Sequence, residues 1–151
     1  MKTKIKNRNL PLLLSQVREV VIANFRPILH YYGLTEQQWR ILRELYEGEL
    51  EPREICERCQ ILSPSMAGIL KRLEETDLVH KKKIEGDRRR VSVSLTEQGR
   101  NLIGTMVPLV QRRYELLEEA YGKELIVQLY RALDDFMLKK ETAVRRINPA
   151  D

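Results

Sequence analysis

The sequence predicts a mainly α-helical chain with one small β-hairpin, flanked at both ends by helices whose apolar faces need a partner. Three observations carry this expectation. Apolar residues recur at three- and four-residue spacing through most of the chain. The period switches once to strict alternation, at Val91, Val93 and Leu95 with Ser92 and Ser94 between them. Proline or glycine punctuates the changes of element. At 151 residues the chain has the length of one ordinary domain, and it shows no internal repeat and no low-complexity linker.

From Leu10 to about Tyr32 the apolar positions Leu14, Val17, Val21, Phe25, Ile28 and Leu29 define a first helix, with Pro27 as an expected kink or weakened turn. Gly33 permits the stop. Thr35 and Gln38 form a capping box that opens a second helix through Ile41, Leu42 and Leu45, and Gly48 ends it. Pro52 suits the first turn of a short third helix carrying Ile55, Cys56 and Cys59. After a turn at Gln60 to Leu62, Ser63 is expected to cap a fourth helix with Pro64 at its first position. Its buried stripe is Met66, Ile69, Leu70 and Leu73.

The alternating strand has a natural partner in Val79 to Ile84, with turn chemistry at Glu85, Gly86 and Asp87. Thr96 then caps a fifth helix running towards Glu119, with Pro108 as an expected kink. Gly122 precedes a last helix with Leu125, Leu129, Leu133, Phe136 and Met137 expected to face inward. The terminal helices need a surface on which to bury their stripes, and a second copy of the chain supplies one as an isologous dimer. A bundle closed within one chain is the alternative. The expected division is an N-terminal arm and dimerisation helix over 1–34, a helix-turn-helix with a hairpin wing over 35–98, and C-terminal dimerisation helices over 99–151.

Charge points to an anionic partner through its placement more than its total. The formal net charge is +5, a value many proteins without such partners share. Lys81, Lys82, Lys83, Arg88, Arg89 and Arg90, however, fall on the two arms and tip of the one hairpin. Two short helices joined by a tight turn, followed by a basic hairpin, make a winged helix-turn-helix. On the fourth helix the face opposite the buried stripe carries Pro64, Ser65, Gly68, Lys71, Arg72 and Glu75, small residues first, and Ser63 and Ala67 join Pro64, Ser65, Gly68, Lys71 and Arg72 as candidates for DNA contact. Small side chains let a helix backbone approach the major groove, and arginine donates two hydrogen bonds to guanine or anchors a phosphate. In the wing, Lys82, Arg88, Arg89 and Arg90 are the candidates for sugar, phosphate or minor-groove contact. Asp87 is expected to orient one of these guanidiniums. A winged-helix module that binds acidic protein surfaces is the alternative, distinguished by the lack of a sharp operator preference and of a salt slope proportional to phosphate contacts.

These residues resemble a known family. The stretch LTEQQWRIL, the helix SPSMAGILKRLEETDLV and the wing GDRRRVSVSLTEQG are similar to the MarR family of winged-helix regulators over nearly the whole chain. The most specific part is Asp87-Arg88-Arg89 followed by Val91, Leu95, Thr96 and Gly99. The resemblance implies a homodimer on a pseudo-palindromic operator, with the fourth helix in the major groove and the wing in the minor groove. Within the family, VREVVIANFRPIL and SPSMAGIL resemble repressors of hydroxyphenylacetate and homoprotocatechuate catabolism, which are released by aromatic acids. One departure is visible: Asp77 stands where the family has glycine, so an aspartate is expected in the left-handed cap.

Arg18 falls inside the apolar arc of the first helix, and an unpaired buried guanidinium is costly. It needs a carboxylate, either from a neighbouring glutamate or from a bound acid whose ring would lie on Trp39 and Phe25. The resemblance implies an effector site between the dimerisation and DNA-binding helices, assigned to Ser15, Arg18, Arg26, His30, Trp39 and Arg40. A salt bridge for Arg18 and a core role for Trp39 are the structural alternatives. Cys56 and Cys59 form a C-x-x-C, but His30 and His80 have no zinc spacing with it, so no metal is expected. Two small thiols in a helix, or a redox pair that senses oxidants, are the remaining readings. No phosphate loop, dinucleotide fingerprint or nucleophile elbow is present, so neither enzyme nor cofactor is expected. The short, proline-interrupted leucine run after the basic start is too brief for a secretory signal, and a cytoplasmic protein is expected.

Overall fold

The structure, a computed structural model, describes residues 5–141. Its elements are α1 (Leu10–Ala23), α2 (Arg26–Tyr31), α3 (Glu36–Glu47), α4 (Pro52–Cys59), α5 (Ser63–Glu75), β1 (Val79–Ile84), β2 (Asp87–Leu95), α6 (Glu97–Tyr121) and α7 (Lys123–Leu138). The chain divides between Arg113 and Tyr114 into two compact units.

The helix expected over Leu10 to Tyr32 is two helices. Proline lacks an amide and its ring crowds the carbonyl four residues back. For Pro27 that carbonyl belongs to Ala23, the last residue of α1, and Pro27 itself sits in the first turn of α2. The weakened turn is thus a break displaced one turn upstream of the proline. At the start of α1 the Asn9 side chain accepts the Leu12 amide at 3.0 Å, a cap that the sequence pattern did not single out.

The α3 start follows its sequence closely. Thr35 Oγ1 accepts the Gln38 amide at 3.1 Å, and Gln38 Oε1 accepts the Thr35 amide at 3.0 Å. The α5 start differs from expectation. Leu62 occupies the cap position in extended conformation with no side-chain capping bond, so Ser63 and Pro64 are the first two helical residues. A proline in the first turn needs no hydrogen-bond acceptor, which lets the helix begin without the serine cap.

The core of the first unit is built from one face of each element. Ile41, Leu42 and Leu45 of α3, Ile55 of α4 and Met66, Leu70 and Leu73 of α5 are buried. Val79 and Val93 of the hairpin and Ile103 and Met106 of α6 join them. Ile69, expected in the α5 stripe, is only half-buried. The hairpin pairs Val79 with Leu95 through Lys83 with Val91, shifts register between Lys83 and Ile84, and turns through Gly86 at φ +89°. Leu50 adds a third, one-residue strand: its amide donates to Val93 O at 3.1 Å and its carbonyl accepts from Val93 N at 2.8 Å.

The junction from α5 to α6 is tightly made. Asp77 takes the left-handed conformation expected of it, φ +57°. Thr96 Oγ1 donates to Asp77 O at 2.6 Å and accepts the Gly99 amide at 2.9 Å, capping α6. A Cβ on Gly99 would lie 2.1 Å from Leu78 O, so only glycine fits this crossing. Helix α6 continues through Pro108 as one element.

In α7 the stripe expected to face inward is exposed instead: Leu125, Leu133, Phe136 and Met137 all lie open, Phe136 at 67%. No described residue of α1 or α7 is buried. Among the described residues no helix is long and apolar enough to cross a membrane.

Candidate nucleic-acid interface and effector site

On α5 the buried stripe turns the opposite side outward, and Ser63, Pro64, Ser65, Ala67, Gly68, Lys71 and Arg72 are all exposed. The first two turns of that side hold nothing longer than serine or proline. Lys71 lies 4.0 Å from Glu75, one turn on. An exposed pair of this kind is worth little, so Lys71 is readily drawn to a stronger anion.

The wing presents Lys82, Arg88 and Arg89 to solvent. Arg90 is exposed too, but its guanidinium donates to Glu51 Oε1 from Nε at 2.7 Å and again from Nη2. The Glu51 hydrogen bond raises Arg90 further into its charged range. Asp87, expected to orient a guanidinium, accepts the backbone amide of Arg89 at 2.9 Å instead. An aspartate bonds readily to an amide two residues on, and this local bond shapes the strand start. Glu51 is therefore the acid that orients a wing arginine. Ser92 Oγ donates to Glu49 Oε2 at 2.9 Å, so the segment 49–51 grips the wing by two side chains and by the Leu50 bridge. Sequence spacing gave no sign of these long-range partners, although two glutamates flanking an apolar residue before Pro52 are the pattern of an exposed edge.

The six residues expected around an effector are only partly brought together. Arg18 Nη2 donates to Glu36 Oε2 at 2.6 Å. Arg26 donates to Glu36 Oε1 from Nε at 3.0 Å and from Nη2 at 2.9 Å, and its other edge pairs with Glu19, Nη2 to Oε2 at 2.8 Å. Glu36 thus bridges both arginines. Burial alone would raise its pKa, but the Arg18 and Arg26 hydrogen bonds outweigh that and hold it below the ordinary range. Arg26 holds Glu19 low in the same way, chiefly by its hydrogen bond. The carboxylate Arg18 requires is supplied by α3, and the Arg18 side chain is 56% exposed in the single chain rather than sealed in an apolar arc.

Trp39 and Phe25 are core residues, 8% and 6% exposed. Ser15 and His30 lie on the surface. Arg40 is turned away: its Nη1 donates to the Cys59 carbonyl at 2.5 Å and so satisfies an orphan acceptor at the end of α4. A cavity of about 500 Å³ opens beside Tyr32, Gln38, Thr76, Asn101 and Thr105, and none of the six expected effector residues lines it.

Cys56 and Cys59 are free thiols, the first half-buried and the second buried. Burial, with Glu44 adding to it, pushes the Cys59 thiol up to about 11. A thiol held protonated is a poor nucleophile, which weighs against a sensing pair. Among the described residues no group of three or more side chains could hold a metal ion.

Residues 32–90 match the MarR family. Over 130 residues the chain is 40% identical to the HTH-type transcriptional regulator FarR of Neisseria gonorrhoeae, an alignment covering 85% of this chain and 89% of that protein. The chain belongs to the MarR family. This MarR-family protein is also 36% identical over 130 residues to the homoprotocatechuate degradative operon repressor of Escherichia coli, covering 85% of this chain and 88% of that one. Among solved structures it superposes on transcriptional regulator PA4135 with a TM-score of 0.85 at 39% identity, covering 89% of this chain and 99% of that one. NadR in complex with 4-hydroxyphenylacetate superposes with a TM-score of 0.76 at 39% identity, covering 90% of this chain and 97% of that one. The winged-helix architecture is that of its relatives, and the protein is a transcriptional regulator, not an enzyme.

Proposed function

We propose that this MarR-family chain is a homodimeric repressor of an aromatic-acid catabolic operon, released from a pseudo-palindromic operator by an aromatic carboxylic acid. The observation that carries the DNA contact is the exposed small-residue side of α5 in the same unit as an exposed Arg88–Arg89 wing. Ser63, Pro64, Ser65, Ala67, Gly68, Lys71 and Arg72 enter the major groove; Lys82, Arg88 and Arg89 reach phosphate or the minor groove. Arg90 joins them only by leaving Glu51. The uncovered apolar positions of α1 and α7 support dimerisation through residues 1–34 and 99–151, with the helix-turn-helix and wing of 35–98 between them.

The effector reading is supported by the two arginines that Glu36 bridges and by the 4-hydroxyphenylacetate complex of NadR. An incoming carboxylate competes with Glu36 for Arg18 and Arg26, with Trp39 beneath the ring and Ser15 and His30 at the rim. Arg40 serves from behind, by holding α4. The test is titration of the promoter upstream of the regulated genes, with and without 4-hydroxyphenylacetate. Weakened binding at saturating acid is expected in the wild type and absent in Arg18→Ala. Unchanged affinity in the wild type removes that acid class.

A further inference from the structure

We propose that Gly68 is a specificity-determining residue, kept as glycine so that the middle of α5 can lie against a base edge of duplex DNA. The inference rests on α5 being the helix that enters the major groove. Glycine inside a helix destabilises it relative to alanine, because the unfolded backbone has more freedom to lose. A helix-interior glycine is therefore a local cost that a requirement of the fold or a contact with a partner can offset. The fold does not require this one. A Cβ built on Gly68 meets nothing within 4 Å, and its φ is not in the left-handed region. The contrast within the chain is direct: at Gly99 the added carbon would strike Leu78 O at 2.1 Å, Gly33, Gly86 and Gly122 have positive φ, and Gly48, also in open space, ends α3 as its C-cap and carries no helix-interior cost. Gly104, the other helical glycine with open space around it, stands four residues before Pro108, where the proline ring crowds the turn.

The space around Gly68 therefore serves a partner. Its neighbours name which one. Pro64, Ser65, Lys71, Arg72 and Glu75 share its exposed side, so a small-residue floor meets two cations one turn further along, with Glu75 only weakly paired to Lys71 at 4.0 Å. A helix with its side chains is about 10–12 Å across, and the major groove is about 12 Å wide. Deep entry thus needs a side stripped of bulk, followed by donors long enough to reach base edges and phosphates. An apolar partner helix would meet Lys71 and Arg72 at this place and gain nothing from them. Adding one methyl group at position 68 lifts the helix off the base edges while leaving outlying phosphate contacts reachable, so it costs sequence preference more than general affinity.

The test uses the full-length wild type and Gly68→Ala, with a duplex selected by the wild type from a random pool and a scrambled duplex of equal length. For Gly68→Ala, a melting temperature higher by about 2–4 °C is expected from the gain in helix propensity. Affinity for the selected duplex should fall about tenfold or more, the size of one mismatched base pair, while the scrambled duplex is bound as before. Equal affinity of both proteins for the selected duplex overturns the proposal. So does a lower melting temperature, which assigns Gly68 to the fold, or weaker self-association by sedimentation, which assigns it to a second copy. A wild type that selects no sequence at all overturns the DNA-binding reading itself, a result distinct from the other three.

Discussion

At the scale of single residues, the electrostatics separate side chains that composition had grouped. Arg88, Arg89 and Arg90 are adjacent, yet among the described residues only Arg90 is held by a carboxylate. Replacing Arg88 or Arg89 by alanine should lower the slope of log affinity against log salt by about 1 each. Arg90→Ala should lower it by less, because Glu51 already neutralises that charge; operator titrations over a salt series will read the difference. The same logic gives Glu36 a pH signature. Its folded pKa lies below its unfolded value, so the stability it contributes is complete above the ordinary glutamate range, about 4.3, and is lost as pH falls through the depressed folded value. Melting curves should therefore show stability declining below about pH 5. Glu36→Gln should flatten that decline. Among the thiols, iodoacetamide at mildly alkaline pH should label Cys56 well before Cys59 in the folded protein, as mass spectrometry will show. Equal labelling would falsify the assignment of Cys59 as an inert core thiol.

At the scale of elements, the local signals and the long-range ones were legible to different degrees. Capping at Thr35 and Thr96 and the hairpin over 79–95 depend on residues within a few positions of one another, and a sequence displays such neighbours directly. The break at Asn24 and Phe25 was only half visible, since proline announces a defect but not which preceding turn gives way. Leu62 takes the cap position of α5 in place of Ser63, directly after the tight turn that begins at left-handed Gln60, φ +51°, a turn geometry that residue type alone does not announce. A glutamate partner for Arg18 was legible as a need, though not as Glu36; Glu49 and Glu51 were not legible, because the Arg90–Glu51 ion pair and the Ser92–Glu49 hydrogen bond, across 39 and 43 positions, are properties of the fold. Two substitutions grade these elements. Thr35→Ala should destabilise the protein by about 1 kcal/mol through loss of the α3 cap. Gly99→Ala should cost more, about 1–3 kcal/mol or above, since Leu78 must move its backbone to admit the carbon. Chemical denaturation of both variants will rank them.

At the scale of the whole molecule, the apolar faces of α1 and α7 set what a lone chain lacks. Leu10, Leu14 and Val17 on one and Leu133 and Phe136 on the other are exposed apolar side chains of the kind that mark association surfaces. A double variant with Leu133→Asp and Phe136→Asp is expected to sediment as a monomer and to lose operator affinity, while the helix-turn-helix keeps its fold by circular dichroism. The grip of residues 49–51 on β2 has a further consequence. Leu50, Glu49 and Glu51 tie the base of the hairpin to the segment before α4, which narrows the range of positions the wing can take. A stiff fork arrives at the duplex already set, so docking wastes little conformational freedom.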